Sequence, residues 1–286
     1  MPTTERITGF TREGLAFDVR DAGPIDGPPV VLLHGFPQDS RSWEATARLL
    51  HARGYRTLAP DQRGYSPGAR PRGRRAYRDS ELTADVAELI EVSGLGPVHL
   101  VGHDWGAAVA WVFAAQRPDL LKSLTAVSVP HPAAFVRAML TSRQGRMSWY
   151  MYFFQLPWLP ERRLTSGESW ARSLRKTGLS AEAAARDAEL MRDRRTARGA
   201  LNWYRAMVFT KPRALRSRIT VPTLHVWSDG DRAVGPKGAE LTPPFVTGRY
   251  TFEVLEGVSH WIPDEAPEAL DALLADHFDA ASAHPR

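Results

Sequence analysis

The sequence predicts an α/β fold: a mostly parallel central sheet with helices on both faces, interrupted by an inserted helical block. Three observations carry this. Short, continuously apolar runs end in Gly- or Pro-containing turns, as strands buried on both faces do. Amphipathic helical stretches alternate with them. From about 133 to 218 the alternation stops, and no strand-like run occurs in a segment rich in Trp, Tyr, Arg and Leu.

Taken in order, Gly14 to Arg20 reads as a strand of mixed polarity. Pro29 to Leu33 is an apolar strand that runs into His34-Gly35-Phe36-Pro37. Ser42 to Gly54 has helical spacing through Trp43, Ala47 and Leu50. Tyr55 to Ala59 is the next strand, and Glu81 to Ser93 an amphipathic helix through Leu82, Val86, Leu89 and Ile90. Val98 to Val101 is a strand, followed at once by Gly102-His103-Asp104-Trp105-Gly106 and an apolar helix over Ala108 to Gln116. Leu124 to Val129 is a strand. After the helical block, strands return at Pro222 to Trp227 and Tyr250 to Leu255, and Pro267 to Phe278 is a closing helix. The expected organisation is one core domain from residues 1–132 and 219–286, with 133–218 as a helical cap over its active site.

The bulk numbers narrow the function classes. With 286 residues, 43% hydrophobic and 24% charged, the chain has an ordinary globular balance. No run approaches the ~20 apolar residues of a membrane span. The first 20 residues lack an apolar signal core, so a cytoplasmic location is expected. There is no cysteine, which excludes disulfides, thiolate catalysis and cysteine-bound metals. The net charge is +5, nearly all from arginine, with lysine only at 122, 176, 211 and 237. Arg70, Arg72, Arg74, Arg75 and Arg78 form a basic cluster without interleaved aromatics, and it reads as a solvated loop rather than a nucleic-acid site.

Gly102-His103-Asp104-Trp105-Gly106 has the form small-x-nucleophile-x-small between a strand and a helix. Aspartate stands at the centre, where serine is usual in such an elbow. A carboxylate is already ionised at pH 7 and needs no base to attack. It suits displacement at an sp3 carbon and leaves an ester whose acyl carbon belongs to the enzyme. Water must then attack that carbonyl, which calls for a general base and an oxyanion hole. The alternative for Asp104 is a plain helix cap. His103 points away from the nucleophile and reads as structural.

The order nucleophile, acid, histidine makes His260, after a strand and a glycine turn, the expected base. The acid should follow the strand ending at Trp227. Asp231 is favoured over Asp229 because it lies far enough along the loop to fold back to His260. The backbone N–H groups of Phe36 and Trp105 are the expected oxyanion donors.

With these motifs in place, the chain resembles an epoxide hydrolase of the α/β-hydrolase superfamily, of the bacterial type. The resemblance rests on His34-Gly35-Phe36-Pro37, Pro60-Asp61-Gln62-Arg63-Gly64-Tyr65, the Gly-His-Asp-Trp-Gly elbow and Gly257-Val258-Ser259-His260-Trp261. It implies two cap tyrosines that donate to the epoxide oxygen. One is Tyr204 in Asn202-Trp203-Tyr204-Arg205. The other is Tyr150 before Phe154-Gln155-Leu156-Pro157, with Tyr152 as a nearby alternative. A phenol with a pKa near ~10 can donate to a nascent alkoxide. Trp105, Phe154, Trp203 and Trp261 are the expected substrate-pocket residues.

The expected partner is a small epoxide, with no nucleic acid, no membrane, no metal and no organic cofactor; a homodimer is left open. The rival is a haloalkane or haloacid dehalogenase with the same aspartate nucleophile. Phe36 stands where haloalkane dehalogenases commonly place Asn, and Trp105 and Ala108 where fluoroacetate-type enzymes place arginines. A biosynthetic cyclase, with an internal hydroxyl in place of water, also remains open.

Overall fold

The computed structural model describes residues 5–210 and 217–283. Its centre is an eight-stranded sheet: β1 (Gly9–Arg12), β2 (Leu15–Ala22), β3 (Pro29–Leu33), β4 (Arg56–Pro60), β5 (Val98–His103), β6 (Leu121–Val127), β7 (Thr223–Ser228) and β8 (Tyr250–Leu255). The strand order is β1-β2-β4-β3-β5-β6-β7-β8. β2 pairs antiparallel with β1 and with β4, and every pairing from β4 to β8 is parallel.

Three helices precede the insertion: α1 (Glu44–Ala52), α2 (Asp79–Ser93) and α3 (Trp105–Gln116). Along β3, Val31 and Leu33 face one apolar core with Leu82, Val86 and Phe113. Val30 and Leu32 face a second core with Leu50, Leu274 and Phe278. This period-two split is why β3 reads as an unbroken apolar run: both faces are covered. The same holds for β4, β5 and β7, which are buried along their whole length. β1 has no counterpart among the expected strands. It is four residues long with one buried side chain, Phe10, stacked on Phe17 at 4.6 Å. So short an edge strand carries no periodicity to read.

Between β6 and β7 lie α4 (Pro132–Thr141), α5 (Gln144–Met147), α6 (Trp149–Phe153), α7 (Leu159–Leu164), α8 (Glu168–Arg175), α9 (Ala181–Met191) and α10 (Arg194–Ala206). A 3-10 turn over Met207–Phe209 follows. α11 (Pro236–Glu240), α12 (Ile262–Glu265) and α13 (Pro267–Ala283) complete the chain.

Among the contacts that fasten this helical insertion to the sheet domain, three lie near its beginning, middle and end. Gln144 of α5 donates to the Ala233 carbonyl at 2.8 Å and accepts from the Gly235 N–H at 2.8 Å. Asp187 of α9 and Asp264 of α12 both accept from Gln38, at 3.1 and 2.7 Å. At α10, backbone meets backbone: a Cβ on Gly199 would lie 2.6 Å from the Gly64 Cα. Gly64 also has φ +94, so glycine is required there on both counts. Beside that contact the Trp203 indole donates to the Arg63 carbonyl at 2.8 Å.

The basic cluster is largely tied down. Arg70 pairs with Asp193 at 2.6 Å and Arg78 with Glu81 at 2.6 Å, while the guanidiniums of Arg74 and Arg75 sit over the Phe209 ring.

Candidate active site

β5 runs straight into α3, and the chain must reverse within one residue. Asp104 occupies that position with φ 52 and ψ −119, a conformation that costs a non-glycine residue energy and is kept where the surroundings impose it. The surroundings are tight. A Cβ on Gly106 would lie 2.1 Å from the Leu33 carbonyl oxygen, and one on Gly35 would lie 2.4 Å from the Asp104 Cβ. The glycines let β3, its following loop and the elbow close on one another, and the result projects the Asp104 carboxylate outward from the strand ends.

The carboxylate has two distinct sides. Oδ1 accepts the Phe36 N–H at 2.7 Å. Oδ2 lies 3.4 Å from His260 Nε2. The far side of the imidazole, Nδ1, is 2.6 Å from Asp231 Oδ2. The other Asp231 oxygen accepts the Ala233 and Val234 N–H groups at 2.7 and 2.8 Å, which fixes the carboxylate's rotation. The His260 carbonyl accepts from Ser128 Oγ and bonds His103 Nε2, both at 2.9 Å, so the histidine's backbone is held too. Asp229 takes no part: it is exposed and accepts the Gly257 N–H at 2.6 Å.

Electrostatics follow from this geometry. Burial pulls the His260 pKa down, but the charge of Asp231 and the bonds to Asp104 and Asp231 prevail and raise it to about 10. Burial pushes Asp104 up, yet His260 and the Phe36 N–H prevail and hold it below its ordinary value. The resting pair is therefore carboxylate and imidazolium. His103, buried beside His260, is lowered to about 4 and stays neutral.

Above Asp104 is a cavity of about 140 Å³. Asp104, Trp105, Tyr150, Trp203 and Tyr204 all line it. Its remaining wall is mostly apolar: Val109 and Val112 from α3, Phe135 and Val136 from α4, and Met207. Both tyrosines have pKa values raised by burial first and by the Asp104 charge second, so both are neutral O–H donors. Tyr204 meets Trp105 and Phe36 edge-on at 5.0 and 5.2 Å. Tyr152 is 62% exposed and does not reach the cavity.

Two expected pocket residues are elsewhere. Trp261 is 5% exposed, packs with Leu174 and Ala184 between α8 and α9, and donates to Thr177 Oγ1 at 3.0 Å. Following the histidine in sequence does not place it on the histidine's cavity side. Phe154 does not line the cavity either. It lies behind Tyr204 and Tyr150, at 4.9 and 5.7 Å between ring centroids, as their backing. The Phe36 ring likewise packs behind Tyr204, and only its N–H faces Asp104. Among the described residues no cluster of His, Cys, Asp or Glu is placed to hold a metal ion.

Sequence reading missed the polar contacts behind the site. Gln38 follows the Phe36-Pro37 loop and bridges Asp187 and Asp264. Asp187 is wholly buried, and burial raises its pKa to about 6 despite Arg186 beside it. In the sequence it is one charge on a helix that looks solvated, so no local signal marks it.

Comparison with known proteins agrees with this architecture. Residues 28–267 match the family model described as alpha/beta hydrolase fold. The AB hydrolase superfamily protein YfhM of Bacillus subtilis is 35% identical over 272 residues, covering 93% of this chain and 95% of that protein. Epoxide hydrolase 2 of Caenorhabditis elegans is 31% identical, covering 93% of this chain and 78% of that one. A solved structure from a set of epoxide hydrolases found in metagenomes of hot environments superimposes with a TM-score of 0.82 at 29% identity, covering 96% and 98% of the two chains. The chain belongs to the α/β-hydrolase fold family, and within that family it is a relative of the epoxide hydrolases.

Proposed function

We propose that this protein is an epoxide hydrolase that works through an ester on Asp104, with the helical insertion as its cap. One observation carries the reading. The two oxygens of Asp104 are already assigned different partners, Oδ1 to the Phe36 N–H and Oδ2 to His260, and two neutral phenols share the cavity above them. A carboxylate that both attacks and is later attacked needs this division.

In the first step Oδ2 attacks one epoxide carbon from the side opposite the breaking carbon–oxygen bond. Tyr150 and Tyr204 donate to the oxygen as it becomes an alkoxide. The His260 imidazolium makes good the proton that leaves the phenol. The product is a neutral ester facing a neutral imidazole. With the Asp104 charge gone, protonated His260 loses one of its two anionic partners, and its pKa falls towards that of a base. His260, oriented by Asp231, then takes a proton from water as the water attacks Cγ of Asp104. The developing oxyanion is Oδ1, which already sits on the Phe36 N–H. Trp105 begins α3, so its N–H has no partner within the helix and is the second donor. Collapse breaks the Cγ–O bond to the substrate. The diol oxygen takes the proton of the newly formed carboxylic acid. Aspartate and imidazolium are restored, and no metal or cofactor enters the balance.

The test is a substrate panel. Terminal, styrene-like and bulky epoxides are assayed beside chloroalkanes, bromoalkanes and fluoroacetate. Diol from at least one aryl epoxide with little halide release is expected. Rapid halide release without diol would assign the site to dehalogenation.

A further inference from the structure

Among the described residues, eight of the eleven large hydrophobic side chains that stand exposed lie in the insertion, which is less than a third of the chain. Leu140 is 82% exposed, Trp158 77%, Val208 69%, Trp149 64%, Tyr152 62% and Leu159 53%. Trp158 also lines a surface groove whose other walls carry Arg70, Arg72, Arg162, Arg194, Arg195 and Arg198. Arg72, Arg162, Arg194, Arg195 and Arg198 are exposed, and no acidic side chain among the described residues pairs with them. Asp193 is taken by Arg70, and Glu161, which also lines the groove, is taken by Arg205. Exposed aromatics and aliphatics are costly to leave in water, and the unpaired arginines beside Trp158 carry positive charge that no described residue neutralises. They match one environment, the boundary between acyl chains and anionic headgroups.

We propose that the outer face of the insertion, together with the arginine groove where it borders the sheet domain, is a peripheral docking surface for anionic phospholipid bilayers. This departs from the expectation that no membrane takes part, although no described helix is long and apolar enough to cross one. Other occupants fit less well. A second copy would set the same arginine groove against itself. A nucleic acid would stack on successive aromatics within the groove, whereas a single tryptophan stands there, and the exposed aliphatics around it gain nothing from bases. The surface is joined to the cavity through two helices: α6 presents Trp149 and Tyr152 outward and Tyr150 and Met151 inward, and Leu140 is one turn along α4 from the cavity residue Val136. A docked molecule would hold its apolar cavity close to the lipid phase. The proposal does not rest on epoxide chemistry, because binding is read without substrate.

The experiment is sedimentation of the full chain with vesicles of phosphatidylglycerol and phosphatidylcholine, against vesicles of phosphatidylcholine alone. Binding to the mixed vesicles is expected, falling with salt, and at least about tenfold weaker to phosphatidylcholine. Each arginine near an anionic surface contributes about fivefold to partitioning, so Arg194→Gln with Arg195→Gln and Arg198→Gln should lower it about 100-fold. Trp158→Ser should weaken binding at low and high salt alike. Melting curves of both variants, taken beside the parent, confirm that they are folded. No sedimentation of the parent with anionic vesicles would overturn the proposal, as would a folded triple variant that sediments like the parent. Single-stranded RNA retained more tightly than the vesicles, or a concentration-dependent dimer that the triple variant abolishes, would overturn it in favour of those partners.

Discussion

Replacing His260 by Gln should split the reaction into two halves that can be timed separately. Oδ2 of Asp104 loses its partner at 3.4 Å, but Oδ1 keeps the Phe36 N–H at 2.7 Å, which still favours the ionised form against burial. Both tyrosines stay in the cavity, so alkylation still proceeds, with solvent water rather than His260 restoring the phenol proton. Hydrolysis loses its base, while both oxyanion donors persist. General-base catalysis contributes about 10²–10⁴. Starting from a typical turnover of about 10 s⁻¹, ester hydrolysis falls to about 10⁻¹–10⁻³ s⁻¹, an ester half-life of about 7 to 700 s. That is long enough to trap. Acid quenching within seconds, followed by intact-mass measurement, should show the protein heavier by one substrate, and peptide mapping should place the addition on Asp104. Asp104→Ala should show no adduct. In heavy-oxygen water, the parent enzyme's first-turnover diol should be unlabelled, with label entering Asp104. A first-turnover diol carrying solvent oxygen beside an unlabelled Asp104 would mean that water attacks the epoxide directly, and the ester mechanism would fail.

Three further expectations follow from the same geometry. Tyr204→Phe should slow single-turnover alkylation about 10- to 1,000-fold, the double variant with Tyr150→Phe should be nearly inactive, and exposed Tyr152→Phe should be unaffected; unaltered alkylation in Tyr204→Phe would remove the phenols from the mechanism. Folding raises the His260 pKa from 6.5 to about 10, so its contribution to stability is fully present below 6.5 and lost as pH rises towards 10. The Tm difference between the parent and His260→Gln should therefore shift over that window in the direction of the parent losing stability, and a constant difference would contradict the imidazolium assignment. Gly199→Ala forces a methyl group against the Gly64 backbone and should cost about 1–3 kcal/mol in urea unfolding, whereas an unchanged midpoint would mean that the contact gives way freely.

Much of this was legible in the sequence, for reasons that differ by residue. β3 and β8 were readable to the residue: β3 is apolar on both faces, and both have turn residues at their ends. Asp104, His260 and Asp231 were legible because an elbow and two strand ends fix where side chains point, whatever the helices above do. Tyr150 was separable from Tyr152 only through a resemblance; helical spacing alone puts one of them inward without saying which. Trp261 was misplaced because a short turn after His260 sends successive side chains to opposite sides, and nothing local reports which side is the cavity. Gln38 and Asp187 were invisible because their partner is 149 residues away in the chain, and a pairing of that span leaves no periodicity.

Fastenings spread along the insertion change what kind of roof it is. Gln144 pins its beginning, Asp187 its middle, and Gly199 with Trp203 its end, each to a different part of the sheet domain. A door needs one hinge and a free edge, whereas this roof is built as a vault. Its two phenols therefore keep their register over Asp104 from one turnover to the next. Between α4 and the turn at Met207–Phe209, Val136 and Met207 line the cavity, and none of these fastenings among the described residues crosses that span. Substitutions confined to that span alter the choice of substrate while leaving the reacting groups where they stand.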